Sequence, residues 1–197
     1  MSVCLLAIGD GRVEYHERSW ASLTEMLPDV DYTVVIDDSA HELGFGGAVA
    51  EGWRQALDTP ATHVFHAELD FIYPQPVDLE GMVTVLNYHP HLVQMALLRG
   101  PVNDVERRAG GVIEQHPEDY LTVTWHGQTW REHRRNVTTN PCVWPRWVVE
   151  RGWPVRDESE GHFGIDLFAE DPARRAAYWG FGVNVEHIGH IRSGTGY

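Results

Sequence analysis

Two acidic residues, Glu68 and Asp70, stand one residue apart at the end of an apolar segment, residues 61–71. Side chains alternate along an extended chain, so we expect both carboxylates to project to the same side where the strand ends. Hard divalent cations such as Mg²⁺ and Mn²⁺ prefer carboxylate, water and phosphate oxygens. The spacing therefore predicts a divalent-cation site, with capping of the following loop as the alternative.

The elements that lead to this pair predict a parallel sheet. Apolar strands alternate with helices, in the order strand 3–8, turn 9–11, a helix with His16 and Leu23 on one face, strand 32–36, glycine-rich loop 44–47, a helix through Leu57, and strand 61–71. Such strands indicate an α/β fold with a mostly parallel central sheet covered on both faces. Ligands of these sheets bind beyond the carboxyl ends of the strands. The polar residues at such ends are Asp10, Arg12, Asp37, Asp38, Glu68 and Asp70.

The second half of the chain has a less regular pattern. We predict a strand over 92–98, a polar loop over 99–119, and a hairpin over 121–132 around His126 and Gly127. A short helix is expected over 145–151, another after residues 157–160, and a last one from Asp171 through Trp179. A strand and a polar tail close the chain over 183–197.

Composition limits the classes of function. The 197 residues are 43% hydrophobic, which is enough for one sizeable core, so we expect a single domain over 1–197. The formal net charge of -14 argues against a general electrostatic grip on nucleic acid or on an anionic membrane. A local basic cluster at Arg131, His133, Arg134 and Arg135 keeps a DNA acceptor open.

Cellular location is predicted from the cysteines and from the first strand. Cys4 and Cys142 have neither metal-site nor disulfide-framework spacing, which fits a reducing cytoplasm. The apolar run 3–8 has six residues and no basic lead, so it predicts a core strand rather than a signal peptide or membrane span.

The order of these motifs resembles that of the GT-A glycosyltransferases. The shared features are an Asp-Gly-Arg turn after the first strand, Asp37-Asp38 after the second, a glycine-rich loop and helix, an acid-x-Asp, and a terminal Val-x-His-Ile-Gly. Glu68 stands where that family has the first Asp of its Asp-x-Asp motif. The resemblance implies a Rossmann-like, three-layer α/β/α domain, with residues 1–98 as the nucleotide-sugar half and 99–197 as the acceptor half with a C-terminal lid.

The resemblance also implies roles for individual residues. Asp70 and His187 would bind Mn²⁺ or Mg²⁺, with Glu68 on the metal, its water shell or the ribose. The implied donor-binding residues are Asp10, Arg12, Asp37, Asp38, Gly47, Glu68 and Arg192. An acid at the start of the helix after the acceptor loop is the general base in inverting members, which points first to Glu160 and second to Asp166.

The implied activity is the metal-dependent transfer of a hexose from a nucleotide sugar, with a UDP-sugar favoured, to an acceptor hydroxyl with inversion. The acceptor stays open among a glycan, a protein, a small molecule and a modified DNA base. Five tryptophans fall in the acceptor half, and we expect at most two of them to touch ligand: Trp125, Trp130, Trp144, Trp147 and Trp153.

Other interpretations are retained. Glu160 fits helix N-capping as well as base catalysis, and His187 and His190 fit plain surface positions or, less well, a zinc site. A nucleotidyltransferase of similar sheet is the nearest alternative enzyme. A sugar-binding or scaffold protein that kept the fold is the non-catalytic alternative.

Overall fold

The first half of the chain alternates strands with helices, as predicted. The computed structural model describes residues 2–102 and 113–189. Its first five elements are β1 (Val3–Gly9), α1 (Val13–Met26), β2 (Tyr32–Asp37), α2 (Gly44–Leu57) and β3 (His63–Glu68). Both longer helices have 14 residues. Among the described residues, no helix has the length and apolarity needed to cross a membrane.

The second half contains shorter elements. They are β4 (Phe71–Ile72), α3 (Leu79–Tyr88), β5 (Leu92–Leu97), β6 (Arg99–Gly100), a 3-10 turn (Pro117–Asp119), β7 (Leu121–Trp125), β8 (Gln128–His133), β9 (Cys142–Pro145), α4 (Arg146–Val149), α5 (Ser159–Glu170), β10 (Arg175–Trp179) and β11 (Val185–His187). The predicted hairpin of β7 and β8 is confirmed. His126 and Gly127 have φ values of 49° and 82°, the left-handed pair of a two-residue turn.

An eight-stranded sheet forms the centre of the structure. Its order is β2-β1-β3-β9-β5-β10-β8-β7, and a second sheet has the order β4-β11-β6. In the large sheet β8 and β9 run against the other six strands, so the sheet is mostly parallel, as predicted. Because β1, β2 and β3 are parallel neighbours, their carboxyl ends meet at one edge.

Helices cover both faces of this sheet, which confirms the predicted three layers. Residues of α2, α4 and α5 pack with one face in a first cluster of buried apolar side chains. Residues of α1 and α3 pack with the other face in a second cluster. In the first cluster the rings of Trp53, Trp144, Trp153 and Phe163 meet at centroid distances of 5.0 to 6.2 Å.

The predicted last helix over 171–179 is wrong, because residues 175–179 form β10. This strand pairs in parallel with β5 and antiparallel with β8. Its residues from Ala176 to Trp179 are all buried, which is typical of a strand covered on both faces. Tertiary pairing therefore outweighs the helix propensity of the two alanines.

The predicted glycine-rich loop over 44–47 is also wrong, since these residues begin α2. The Asp38 carboxylate accepts hydrogen bonds from the backbone N–H groups of Leu43 (3.0 Å) and Gly44 (2.9 Å) and so caps this helix. A glycine later in the helix allows close packing, because a Cβ atom at Gly52 would lie 2.5 Å from Leu6 Cδ1. Gly52 thus allows close packing of α2 on β1.

Candidate active site

Three side chains from separate elements meet at the carboxyl edge of β1 and β3. Arg12 follows β1, Asp70 lies in the turn after β3, and His187 ends β11. Asp70 Oδ2 accepts a hydrogen bond from Arg12 Nη2 at 2.9 Å and lies 3.1 Å from His187 Nε2. Pairing of His187 with Phe71 in the small sheet brings the histidine to this position.

Asp10 fixes the orientation of the Arg12 guanidinium. Arg12 Nε lies 2.5 Å from Asp10 Oδ2, so one guanidinium bridges two carboxylates. The backbone N–H of Asp10 donates to His16 Nε2 at 3.1 Å, which ties this turn to α1. Arg12 is therefore held at the acidic edge, next to Asp70.

The electrostatic balance at Asp70 favours its charged form. Burial alone raises the pKa of the Asp70 carboxyl group, but hydrogen bonding to His187 and the charges of His187 and Arg12 outweigh burial and lower it. Asp70 Oδ1 is buried and has no hydrogen-bond partner among the described residues. A buried carboxylate oxygen of this kind is an available ligand atom for a cation.

The end of the described chain passes directly over Asp70. Ile188 donates its backbone N–H to the Asp70 carbonyl oxygen at 2.9 Å. A Cβ atom at Gly189 would overlap Asp70 Oδ2 and lie 2.9 Å from Arg12 Nη1. Only glycine fits here, so residues 187–189 form a close wall of the site.

Glu68 does not form a close group of ligand atoms with the Asp70–His187 pair in the described part of the chain, and the three-ligand metal site stays a prediction. The strand β3 ends at Glu68 and Asp70 falls in the following turn, so strand alternation does not extend to Asp70. In the described part of the chain, one group of three possible ligands has its ligand atoms within 4.8 Å of each other, and it is the surface group His116, Glu118 and Asp119.

The Glu68 carboxyl group instead faces Thr139 and Glu160. Burial raises the pKa of Glu68 to about 8, and the charges of Asp70 and Glu160 act in the same direction, while hydrogen bonding to Thr139 and the charge of Arg99 oppose them. Without a bound cation, these surroundings favour the protonated form of Glu68 at neutral pH.

The two predicted base candidates have different surroundings. Glu160 lies in the first turn of α5, where its Oε1 accepts hydrogen bonds from the backbone N–H and the hydroxyl of Thr139 at 2.6 and 2.8 Å. Asp166 lies on an exposed part of α5, 3.3 Å from Arg156 Nη2. The structure brings Glu160, and not Asp166, to the acidic edge beside Glu68.

The remaining predicted donor-site residues divide into three groups. Asp37 ends β2 with its side chain exposed, and its Oδ1 accepts from the Ser39 N–H at 3.0 Å. Asp38 is occupied in capping α2, and Gly47 lies inside that helix. Arg192 and the tail expected to act as a lid lie outside the described residues.

The predicted acceptor aromatics are mostly core residues. Trp130, Trp144 and Trp153 are buried, while Trp125 is partly exposed and Trp147 is 37% exposed. The expectation that at most two of the five are free to touch ligand agrees with this burial.

The basic cluster over 131–135 is used inside the molecule. Arg134 Nη2 donates to the Phe168 carbonyl at 2.7 Å, Arg135 pairs with Asp119, and His133 is buried. Arg131 Nη2 donates to the Phe181 carbonyl at 3.0 Å. These contacts remove the cluster as an argument for a DNA acceptor.

The sequence indicates Thr139 as one of several polar groups on a loop beside the acceptor region, with turn formation as the alternative. The close approach of Gly189 was not foreseen. The available signal was the polar run 136–140 directly before an apolar segment, which places hydroxyl and amide groups at a strand edge.

The mostly parallel sheet with helices on both faces has the GT-A fold found in glycosyltransferase structures. No protein-family model matches the sequence, and no curated protein matches it.

Similarity to solved structures supports this fold. S. aureus TarS residues 1–349 with UDP-GlcNAc has a TM-score of 0.61 at 11% identity, covering 100% of this chain and 60% of that one. GalNAc-T7 with UDP, GalNAc and Mn²⁺ has a TM-score of 0.64 at 10% identity, covering 95% and 44%. The mannosyltransferase PcManGT from Pyrobaculum calidifontis, with GDP-Man and Mn²⁺, has a TM-score of 0.61 at 13% identity, covering 97% and 58%. The chain thus spans 60% or less of each of these three.

Proposed function

We propose that this chain is a cytoplasmic, metal-dependent glycosyltransferase that moves a hexose from a nucleoside diphosphate sugar to an acceptor hydroxyl with inversion. The observation that carries the proposal is the Asp70 carboxylate, held by Arg12 and His187 at the carboxyl edge of β1 and β3 with Oδ1 buried and unpartnered. Similar folds with UDP-GlcNAc, with UDP and Mn²⁺, and with GDP-Man and Mn²⁺ support it.

The residues at this edge fit a divalent cation. Asp70 Oδ1 and the His187 imidazole are suitable ligands for Mn²⁺ or Mg²⁺, and two protein ligands suffice when substrate phosphates supply others. When bound, the cation would neutralise charge that develops on the leaving diphosphate. Arg12 adds a fixed positive charge at the same edge, held in place by Asp10.

The remaining donor contacts follow from the strand ends. Asp37, exposed at the end of β2, is the proposed contact for the nucleoside. We assign residues 1–98 to the donor half, to which His187 contributes from the end of the described chain. Residues 99–197 form the acceptor half, which carries Glu160. Cys4 and Cys142 are free thiols, in agreement with the proposed cytoplasmic location.

Glu160 is the proposed general base. The acceptor hydroxyl loses its proton to the Glu160 carboxylate while its oxygen bonds to the anomeric carbon. The bond from the anomeric carbon to the phosphate oxygen breaks, and its electron pair leaves with the nucleoside diphosphate. Attack from the face opposite the leaving group inverts the anomeric configuration.

Hydrolysis of the donor tests this proposal without knowledge of the acceptor, because water replaces the hydroxyl. UDP-glucose, UDP-GlcNAc and GDP-mannose would each be incubated with the protein and Mn²⁺, and nucleoside diphosphate release would be followed. We expect the wild-type protein to turn over one donor. The turnover rate should fall by about 100-fold or more in Glu160→Gln. It should be unchanged in Glu17→Gln, an exposed control on α1. Proton NMR of the released sugar would show the inverted anomer first.

Two results would contradict the proposal. Equal turnover by Glu160→Gln and the wild-type protein would remove Glu160 as the base. Release of the retained anomer would remove inversion. Absence of both turnover and nucleotide binding would favour the scaffold interpretation.

A further inference from the structure

Thr139 makes two hydrogen bonds to a single oxygen of the proposed base. Its backbone N–H and its hydroxyl donate to Glu160 Oε1 at 2.6 and 2.8 Å. Thr139 is 4% exposed, so both bonds are shielded from water. A carboxylate with one oxygen held by two donors has a fixed orientation.

The loop that carries Thr139 is held firmly to the central sheet. The Gln94 side chain, on β5, donates to the Thr138 carbonyl and accepts from the Thr138 N–H at 3.1 Å. Leu97 donates its backbone N–H to the Pro141 carbonyl at 2.8 Å. These contacts on either side of Thr139 fix it relative to the strand ends that form the donor site.

The helix that carries Glu160 packs closely on the same loop. A Cβ atom at Gly164, one turn after Glu160, would lie 3.1 Å from the backbone nitrogen of Val137. Helix and loop are therefore in near backbone contact, and the Thr139–Glu160 bonds join them at the end that faces the site. Thr139 also hydrogen-bonds Glu68, so it lies between the acid at the end of β3 and the proposed base.

We propose that Thr139 is a positioning residue for the transfer reaction, which orients the Glu160 carboxylate towards the acceptor hydroxyl. This inference rests on the proposed role of Glu160 as the base. In this role Thr139 touches neither donor nor acceptor, and it acts only through the orientation and charge of Glu160. Its hydroxyl is essential to the function, whereas its methyl group is not.

Donor hydrolysis by three threonine variants tests the inference, with the nucleotide sugar that the wild-type protein turns over best. Thr139→Val keeps the shape and the backbone bond but removes the hydroxyl, and Thr139→Ser keeps the hydroxyl. We expect kcat of the valine variant to fall by about 10- to 100-fold, the range for loss of one hydrogen bond to a charged group. The KM for the donor should stay within about twofold, because the donor contacts are untouched. Thr139→Ser should keep most of the wild-type kcat, and Thr122→Val, an exposed control on β7, should keep all of it.

The pH profile of kcat separates positioning from a structural role. Loss of a hydrogen bond that favours the carboxylate raises its pKa, so the acid limb of the Thr139→Val profile should move to higher pH. Because Thr139→Val also removes the hydrogen bond to Glu68, the shift is measured again in a Glu68→Gln background, where Glu68 cannot titrate. A purely structural role would lower kcat without a shift of the acid limb, and that result would overturn the inference.

Other results overturn it as clearly. A Thr139→Val kcat equal to wild type, with Glu160→Gln inactive, would leave the base intact and remove the positioning role. Equal loss in the valine and serine variants would show that the hydroxyl is not responsible. If Glu160→Gln keeps wild-type turnover, the proposed base itself fails, and the inference fails with it.

Discussion

Replacement of Glu68 by glutamine should stabilise the protein by an amount that grows as pH rises from about 5.5 to 8. Burial raises the pKa of Glu68 from its ordinary 4.5 to about 8, with a further contribution from Asp70. Between these values the folded protein holds a proton that the unfolded chain has lost. The contribution of Glu68 to the free energy of unfolding therefore falls as pH rises from 4.5 to 8 and levels off above.

The size of the effect follows from the same two values. One pKa unit corresponds to about 1.4 kcal/mol, so the full cost above pH 8 is at most about 5 kcal/mol. Local relaxation and water entry reduce such costs, and we expect about 2 to 5 kcal/mol. Glu68→Gln removes this cost, because the amide keeps the shape and cannot ionise.

Urea unfolding of both proteins between pH 5.5 and 9 measures the difference directly. The advantage of Glu68→Gln should be small at pH 5.5 and grow to its maximum near pH 8. The exposed control Glu17→Gln should differ from wild type by a constant amount. An advantage of Glu68→Gln that stays constant within about 0.5 kcal/mol would refute a protonated Glu68 in the folded protein.

Two further predictions concern the wall over the site and the buried histidines. Gly189→Ala should raise the Kd for Mn²⁺-dependent nucleoside diphosphate binding by about tenfold, because its methyl group overlaps Asp70 Oδ2. Isothermal calorimetry would measure this Kd. An unchanged Kd would show that Asp70 and residues 187–189 move apart without loss of binding. Burial lowers the pKa of His63 to about 4 and of His66 and His133 to about 3. Stability should therefore be lost as pH falls below 6.5, by about 1.4 kcal/mol per pH unit for each histidine. Urea unfolding at pH 7, 6 and 5 would measure how the free energy of unfolding changes with pH. A slope below about 1.4 kcal/mol per pH unit, the value for one proton, would contradict the prediction.

The sequence predicted the first half of the fold well because each element there has a long, uniform pattern. Residues 3–8 and 32–36 are apolar throughout and end in acids, and the helix between them has a clear apolar face. Short elements depend on their partners. Strand β9 (Cys142–Pro145) was missed because four residues are too few to show a strand pattern of hydrophobic side chains. Its position depends on pairing with β3 and β5.

Helix α3 was missed although a signal was present. Asp78 accepts a hydrogen bond from the Gly81 N–H at 2.9 Å as an N-cap, and apolar residues follow at helical spacing. By contrast, no local signal separates the glycines that open α2 from a loop. Their helical state depends on the Asp38 cap and on contact with the sheet.

The candidate site was predictable in its parts and not in its grouping. Asp70, His187 and Glu160 were named from sequence, but their neighbours depend on where β3 ends. Because the strand ends at Glu68, this residue turns towards Thr139 while Asp70 meets Arg12 and His187. A change of one or two residues in a strand boundary, which the sequence does not fix, decides which side chains surround Asp70.

The most direct test of the central claim is thermal stabilisation by UDP and GDP, each with and without Mn²⁺, in the wild-type protein and in Asp70→Asn. Binding at about 100 times the Kd adds about 2.7 kcal/mol, or a Tm rise of roughly 5 to 10 °C for a chain of this size. We expect a Mn²⁺-dependent rise with one nucleotide in the wild-type protein and its loss in Asp70→Asn, which lacks the anionic ligand. A Mn²⁺-dependent rise of equal size in Asp70→Asn would contradict the proposed donor site.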